Sequence, residues 1–326
     1  MGAIAARPIP RVVVISFLAA LSIPSIASAA EIYLGVAPGT QTTTGGPGTL
    51  IRANDTTGAG VIVGDAYPSE ALTGYGGLAF DASGNLWATV GKDDHGSIGS
   101  EDGTLASTLV RINPADGSIV QTVGPVQNAN NQSLGIIDLA IQPGSNTLFG
   151  VNTTTSIGPQ PCDVCVFTID TSTGIATSLG QPMQGTTRIV LDALAFDPRN
   201  GTLYGTGKPA FNSGQTAYLY TINPSTLAIS NAEAIARDPN DPYQTTNSAR
   251  SFGLAVRPSD GTIFGTLCCS DEIVYRYYDI VTETYLWRFL GATGAINVNN
   301  FYADLAFAPI PTPVPAAVWL FGSGLA

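Results

Sequence analysis

The chain has 326 residues, of which 37 are Gly and 22 are Pro, and charged residues make up only 11%. This composition is typical of a globular protein with many short strands and tight turns, and it argues against a disordered chain. The net charge of −11 would repel a phosphate backbone, so we expect no nucleic-acid partner.

The first thirty residues predict a secretory signal peptide. Basic Arg7 and Arg11 precede an apolar run from Val12 to Leu21, and small residues at positions 27–30 mark the expected cleavage point. We therefore assign residues 1–30 to a signal peptide and expect an exported protein.

A thirteen-residue phrase recurs along the rest of the chain. In each copy an apolar run breaks at a Pro, Ser, Asn or Gly cluster and then resumes, which predicts two strands joined by a tight hairpin. The copies begin 51 to 61 residues apart, a spacing that indicates a repeat architecture. They are LAFDASGNLWATV (Leu78 to Val90), LAIQPGSNTLFGV (Leu139 to Val151), LAFDPRNGTLYGT (Leu194 to Thr206), LAVRPSDGTIFGT (Leu254 to Thr266) and the truncated LAFAP (Leu305 to Pro309).

A second hairpin follows each full phrase after a variable stretch, at residues 108–124, 166–180, 218–230 and 273–291. An Asn or Asp opens most of its turns, because these side chains cap their own turn backbone. Each unit therefore holds four antiparallel strands, which we call a, b, c and d. Four-stranded units repeated around an axis are β-propeller blades.

The two chain ends supply complementary parts of one further blade. Glu31–Val36 matches strand b and Thr49–Gly64 matches strands c and d, but no strand a precedes them. The spare strand a at Leu305 to Pro309 completes this blade, and the closed ring leaves no exposed edge between the ends. We therefore predict an all-β, five-bladed β-propeller over residues 31–309, closed by its N- and C-terminal strands.

The connections between strands differ in length. The a–b and c–d turns are short and uniform, whereas the b–c and d–a segments, such as Gly91 to Ser107, are long and varied. Because successive strands run in opposite directions, the long segments lie on one face, the long-loop face, and the short turns on the other, the short-turn face. Insertions on one face of a repeat protein usually mark its binding face, so we expect a ligand on the long-loop face.

The residues that enter the innermost strand a from the long-loop face are the candidate ligand-binding residues. Carboxylates with aromatic rings and an Arg could bind a sugar, hold Ca²⁺ through oxygen ligands, or act as the carboxylate pair of a glycosidase. Alternatively, they satisfy the main-chain amides at the strand starts and each other. The candidates are Tyr75, Asp138, Asp192, Arg250, Tyr302 and Asp304.

The sequence favours a binding function over catalysis. His95 is the one histidine of the chain, so a catalytic triad or a histidine metal centre would depend on a single loop residue. We assign no catalytic residue and no cofactor, and metal binding stays open. The preferred hypothesis is a non-catalytic module that binds a glycan or a protein. The alternative is a secreted carbohydrate-active enzyme using Asp138, Asp192 and Asp304, which needs two carboxyls about 5 to 10 Å apart around an open pocket.

The four cysteines are interpreted in the light of export. Outside the cell, Cys162 and Cys165 are expected to form a local disulfide rather than a metal or redox site. Cys268 and Cys269 could pair with each other, pair with the other two, or stay reduced.

The C-terminal segment, residues 310–326, carries the one family resemblance with specific residues. Its run from Val314 to Leu325 resembles the start of the PEP-CTERM class of sorting signals, in the VPLPA-like variant. The resemblance implies processing by an exosortase at the surface of a Gram-negative bacterium that makes extracellular polysaccharide. Separately, the repeated LAFDP and LYG phrases resemble those of exported bacterial propellers of unassigned function. With the binding hypothesis, we expect an extracellular polysaccharide or a surface protein as the partner. The apolar run is shorter than the about 20 residues of a spanning helix, so membrane contact is expected only if the chain continues. The motif residues are Val314, Pro315, Ala316, Ala317, Trp319, Phe321 and Gly322.

Overall fold

The computed structural model describes residues 30–36, 48–65, 74–91, 107–152, 164–209, 217–236, 238–240, 251–267, 272–294 and 303–310. In chain order the strands are β1 (Glu31–Val36), β2 (Thr49–Asn54), β3 (Gly60–Asp65), β4 (Gly74–Phe80), β5 (Leu86–Gly91), β6 (Thr108–Ile112), β7 (Ile119–Pro125), β8 (Asp138–Ile141), β9 (Leu148–Val151) and β10 (Val166–Ile169). They continue with β11 (Ala176–Gly180), β12 (Met183–Gln184), β13 (Thr187–Phe196), β14 (Leu203–Pro209), β15 (Tyr218–Ile222), β16 (Ile229–Ala234), β17 (Ser251–Val256), β18 (Ile263–Leu267), β19 (Glu272–Asp279), β20 (Thr284–Ala292) and β21 (Ala303–Phe307). No helix long and apolar enough to cross a membrane occurs in these ranges.

The strands form five antiparallel sheets, which are the five predicted blades. Blade 1 has the order β21-β1-β2-β3, blade 2 is β4 to β7, blade 3 is β8 to β11, blade 4 is β13 to β16, and blade 5 is β17 to β20. Blade 4 also carries β12, a two-residue strand that pairs with the start of β13. The prediction of a five-bladed propeller is confirmed.

The two chain ends close the ring through main-chain pairing. β21 lies antiparallel to β1, with Leu34 opposite Leu305 and Gly35 opposite Asp304. The C-terminal strand is therefore strand a of blade 1. This pairing covers the inner edge of β1, which would otherwise be open to association with another chain.

The Leu-Ala start of each phrase packs the blades against one another. In every blade the Leu joins the hydrophobic cluster shared with the preceding blade, and the Ala joins the cluster shared with the next, because successive strand residues point to opposite faces. For example, Ala79 of blade 2 packs in one cluster with Leu139 of blade 3. The five clusters thus fill the five interfaces of the ring.

Local chemistry fixes the turns and the close packing inside a blade. The carboxylate of Asp170 accepts hydrogen bonds from the main-chain N–H of Ser172 and Thr173, and Asn223 does the same for Ser225. In strand b of blade 3, a Cβ on Gly150 would lie 2.8 Å from the Ile169 Cδ1 atom. Glycine at this position therefore makes room for a core side chain.

Candidate functional site

Two of the predicted site residues meet in the central channel. Asp138 begins β8 and Asp304 lies in β21, and each immediately precedes the Leu of its phrase. Their carboxyl groups are hydrogen-bonded to each other, and both residues are buried, at 0% and 3% exposure. We call these two residues the carboxyl pair.

The carboxyl pair also binds main-chain amides of four blades. Asp138 accepts hydrogen bonds from the N–H of Leu139 and Leu194, at 2.6 Å each. Asp304 accepts from the N–H of Leu305, at 2.7 Å, and of Leu78. Each carboxyl therefore links its own strand a to strand a of the next blade. We call Leu78, Leu139, Leu194, Leu254 and Leu305 the leucine ring; the pair satisfies four of its N–H groups.

Small residues beside the pair allow this close approach. The residues that precede the five leucines are, around the ring, Asp304, Gly77, Asp138, Ala193 and Gly253. A Cβ on Gly77 would lie 2.6 Å from the Leu139 nitrogen and 2.7 Å from the Asp138 carbonyl carbon. Glycine therefore lets blade 2 approach blade 3 where the two carboxyls meet.

Burial determines the protonation of the pair. Removal from water raises the pKa of Asp304 to about 8, although the hydrogen bonds from Asp138, Leu78 and Leu305 act in the opposite direction. Burial, together with the negative charge of Asp304, raises the pKa of Asp138 well above its usual range. The pair therefore holds at least one proton, which the two carboxyls share in their hydrogen bond. Two carboxyls in contact cannot both ionise easily in a site without water.

The other predicted site residues lie elsewhere or outside the described residues. Tyr75 is fully buried between blades 1 and 2, where its ring packs against Gly35. Asp192 is also buried, at the point where β13 shifts register against β14. Arg250 and Tyr302 lie outside the described residues, so a ligand-binding role of the six candidates stays a prediction.

The channel carboxyls do not form a recognisable metal centre. In the described ranges, no group of three or more His, Cys, Asp and Glu side chains is placed to hold a metal ion. The two oxygens of each carboxyl of the pair already accept main-chain N–H groups. Ca²⁺ binding on the long-loop face stays a prediction.

A cavity of about 450 Å³ lies on the opposite side of the leucine ring from the carboxyl pair. Its inner end is the leucine ring, and it opens among the a–b turns on the short-turn face. Pro309 and Ile310, the last described residues, line it. The described chain therefore leaves the propeller on the short-turn face. We call this space the short-turn cavity.

Of the cysteines and the sorting-motif residues, only Cys165 is among the described residues. Cys165 is fully buried before β10 and is disulfide-bonded. Cys162, Cys268 and Cys269 lie outside the described residues, so its pairing with Cys162 stays a prediction. Residues 1–29 of the predicted signal peptide and the motif from Val314 to Gly322 also lie outside the described residues.

Comparisons with known proteins give solved structures of low similarity. No family model matches the chain, and no curated protein matches it. A nidogen/laminin complex is similar with a TM-score of 0.47 and 14% identity, over 85% of this chain and 98% of that chain. The Malassezia sympodialis allergen Mala s 1 gives 0.41 and 13%, over 77% and 74%. Regucalcin from Agrobacterium tumefaciens, a calcium-binding protein, gives 0.40 and 10%, over 81% and 74%. At these values the similarities carry no argument about function.

The alternative stated for the candidate residues, that they satisfy strand-start amides and each other, describes Asp138 and Asp304. The crowding around the two carboxyls was not predicted. The alternation of Gly, Ala and Asp before the five leucines was visible in the aligned phrases and would have indicated a crowded ring. The sequence signal for the short-turn cavity was weaker. It was the proline that lies four residues after most of the leucines.

Proposed function

We propose that the protein is an exported β-propeller that binds a glycan or a protein on its long-loop face and catalyses no reaction. The observation that supports binding over catalysis is the state of the carboxyl pair. Asp138 and Asp304 are buried, bound to each other and committed to four main-chain amides. Their role is to hold strands a of the ring together.

The enzyme hypothesis receives less support from this geometry. A raised pKa suits a general acid, and both members of the pair have one. A glycosidase, however, needs its carboxyls about 5 to 10 Å apart with substrate or water between them. A direct hydrogen bond between Asp138 and Asp304 leaves no such space.

Export and surface attachment are supported by the two ends of the sequence. The leader with Arg7 and Arg11 supports secretion, and the run from Val314 to Leu325 supports sorting to the surface of a Gram-negative bacterium by an exosortase-type enzyme. Because the described chain leaves on the short-turn face, attachment through this tail would direct the long-loop face toward the extracellular matrix. A polysaccharide or surface protein would then meet the long loops.

A glycan array probed with the full chain tests the proposal. We expect binding to a subset of bacterial polysaccharide fragments, and loss of that binding in Arg250→Ala and Tyr302→Ala variants. Ser83→Ala, on an exposed short turn, is the matched control and should bind like the parent. Cleavage of an arrayed glycan by the parent but not by Asp138→Asn would contradict the proposal and support the enzyme alternative.

A further inference from the structure

We propose that the short-turn cavity is a binding site for a neutral, largely apolar small molecule, separate from any ligand of the long-loop face. Its volume of about 450 Å³ lies within the range of about 300 to 1,000 Å³ that small-molecule sites occupy. The cavity is the central channel itself, bordered at its inner end by the leucine ring and at its mouth by the a–b turns. A ligand would therefore enter from the short-turn face.

The walls of the cavity are apolar because of two positions in the repeated phrase. Two residues after each leucine, an aromatic or aliphatic side chain lines the wall. Four residues after it, a proline or alanine lines the mouth. The first set is Phe80, Ile141, Phe196, Val256 and Phe307, and the second is Ala82, Pro143, Pro198, Pro258 and Pro309.

The two charged side chains among the described lining residues are Asp81 and Arg199, and both are already hydrogen-bonded. The Asp81 carboxylate accepts hydrogen bonds from the main-chain N–H of Ser83 and Asn85, and from the side chains of Asn85 and Trp87. Arg199 donates to the Asp197 carboxylate and to the Asp260 carbonyl oxygen. An anion would thus meet the Asp81 carboxylate and an Arg199 that is already paired with Asp197, which is costly in an apolar channel. The cavity therefore favours a neutral ligand over an anion.

Main-chain groups can orient such a ligand. The N–H groups of Leu78, Leu139, Leu194 and Leu305 point into the channel, because they reach the carboxyl pair there. Alternate residues of an antiparallel edge strand direct their N–H and C=O groups the same way, so the residues two positions later also face the channel. The main-chain N–H and C=O groups of these later residues would form hydrogen bonds with a hydroxyl or carbonyl group of an otherwise apolar ligand.

The mouth is rigid before any ligand arrives. Proline fixes the backbone φ angle in three of the four a–b connections that line the cavity, and the fourth is held by Asp81. A preformed site loses little conformational freedom on binding.

The experiment compares two dyes of matched shape on the full chain. N-Phenyl-1-naphthylamine is neutral, and 8-anilino-1-naphthalenesulfonate carries an added sulfonate. Fluorescence titration should show one saturable site for the neutral dye per chain, with affinity at least about tenfold higher than for the anion, because the sulfonate would be buried without a partner. No saturable site, or equal affinity for the two dyes, would overturn the proposal.

Two variants locate the site. Ala82→Trp places a large ring at the exposed mouth and should weaken binding of the neutral dye at least about tenfold. Ala115→Trp, in an exposed c–d turn outside the cavity lining, should bind like the parent. Equal binding by both variants would place the dye elsewhere and overturn the proposal. So would dye binding that appears only after Trp319→Ala, since the chain's own apolar tail would then be the occupant.

Discussion

Asp138 and Asp304 show how a carboxyl group can act as part of a backbone network. The inner edge of strand a has no neighbouring strand, so its N–H groups need another acceptor in the channel. Two carboxyls sharing a proton supply acceptors for four of them. The same arrangement makes the pair sensitive to pH.

We predict that the pair makes the protein less stable as pH rises from about 5 to 9. The pKa of Asp304 is raised by burial to about 8 in the folded state, so the folded chain holds protons that the unfolded chain releases above about pH 4. The stabilisation is complete below the unfolded pKa and is lost as pH rises through the folded one. A loss of about 2–4 kcal/mol would lower Tm by roughly 5–10 °C.

Calorimetry on the parent, Asp138→Asn and Asp116→Asn checks this. Asn at 138 still donates to Asp304, but it removes one acceptor and one of the two carboxyls whose pKa is raised. The variant should melt lower than the parent at pH 5 and change less between pH 5 and 9. Asp116, an exposed turn carboxyl whose pKa is lowered by hydrogen bonds from Ser118, is the charge-matched control and should follow the parent. Parallel curves for Asp138→Asn and the parent would refute the assignment.

Gly77→Ala should destabilise the protein by about 1–3 kcal/mol, since the new Cβ would collide with the backbone of Asp138 and Leu139. Ala193→Gly is the matched control, because Ala193 holds the equivalent position in blade 4 and already carries a Cβ. It should cost no more than about 1 kcal/mol. Denaturant unfolding measures both, and a neutral Gly77→Ala would mean that blades 2 and 3 are further apart.

At the scale of elements, neighbouring blades are joined by arginines as well as by the hydrophobic clusters. Arg257, at the end of β17 in blade 5, donates to Asp55 of blade 1 at 3.1 Å and to Asp260 in its own turn. Asp55 is only 5% exposed. The contact therefore crosses the interface between blades 5 and 1, where the ring closes, and it is largely shielded from solvent.

Arg257→Ala should lower the free energy of unfolding by about 2–4 kcal/mol, because it leaves the buried Asp55 carboxylate without its cationic partner. Arg52→Ala removes an exposed ion pair with Glu31, 3.4 Å apart, and should cost less than about 1 kcal/mol. Urea titrations of the two variants give the comparison. Similar costs for both would show that burial of Asp55 does not matter.

For the whole molecule, stability depends on joining the first and last strands. β21 contributes Leu305 and Phe307 to the cluster between blades 5 and 1, and its Ala306 packs between blades 1 and 2. Without β21, two of the five interfaces lose side chains and β1 gains an open edge.

A chain stopped after Ala303 should therefore lose cooperative thermal unfolding, whereas one stopped after Ile310 should melt within a few degrees of the full chain. The second truncation removes the tail but keeps β21, so it separates closure from any effect of the tail. Circular dichroism melts distinguish the two. A cooperative transition near the parental Tm after the shorter truncation would contradict closure by β21.

The sequence by itself determined the architecture. In the Leu-Ala pair that begins each phrase, the two side chains point to opposite faces of the blade. This alternation depends only on the local sequence, and it is present in every copy. The missing strand a before Glu31 and the spare one at Leu305 then required closure, because an unpaired edge and an uncovered core are both unfavourable.

Only the tertiary structure decided which groups meet in the channel and what space remains at the axis. Asp138 and Asp304 are 166 residues apart (304 − 138), and their contact depends on the ring's diameter and on the approach allowed by Gly77. Their shared proton follows from burial, which no local pattern specifies. The short-turn cavity likewise arises between five blades. It is a property of the space that the repeated Phe and Pro positions leave at the axis, and only closure of the ring creates that axis.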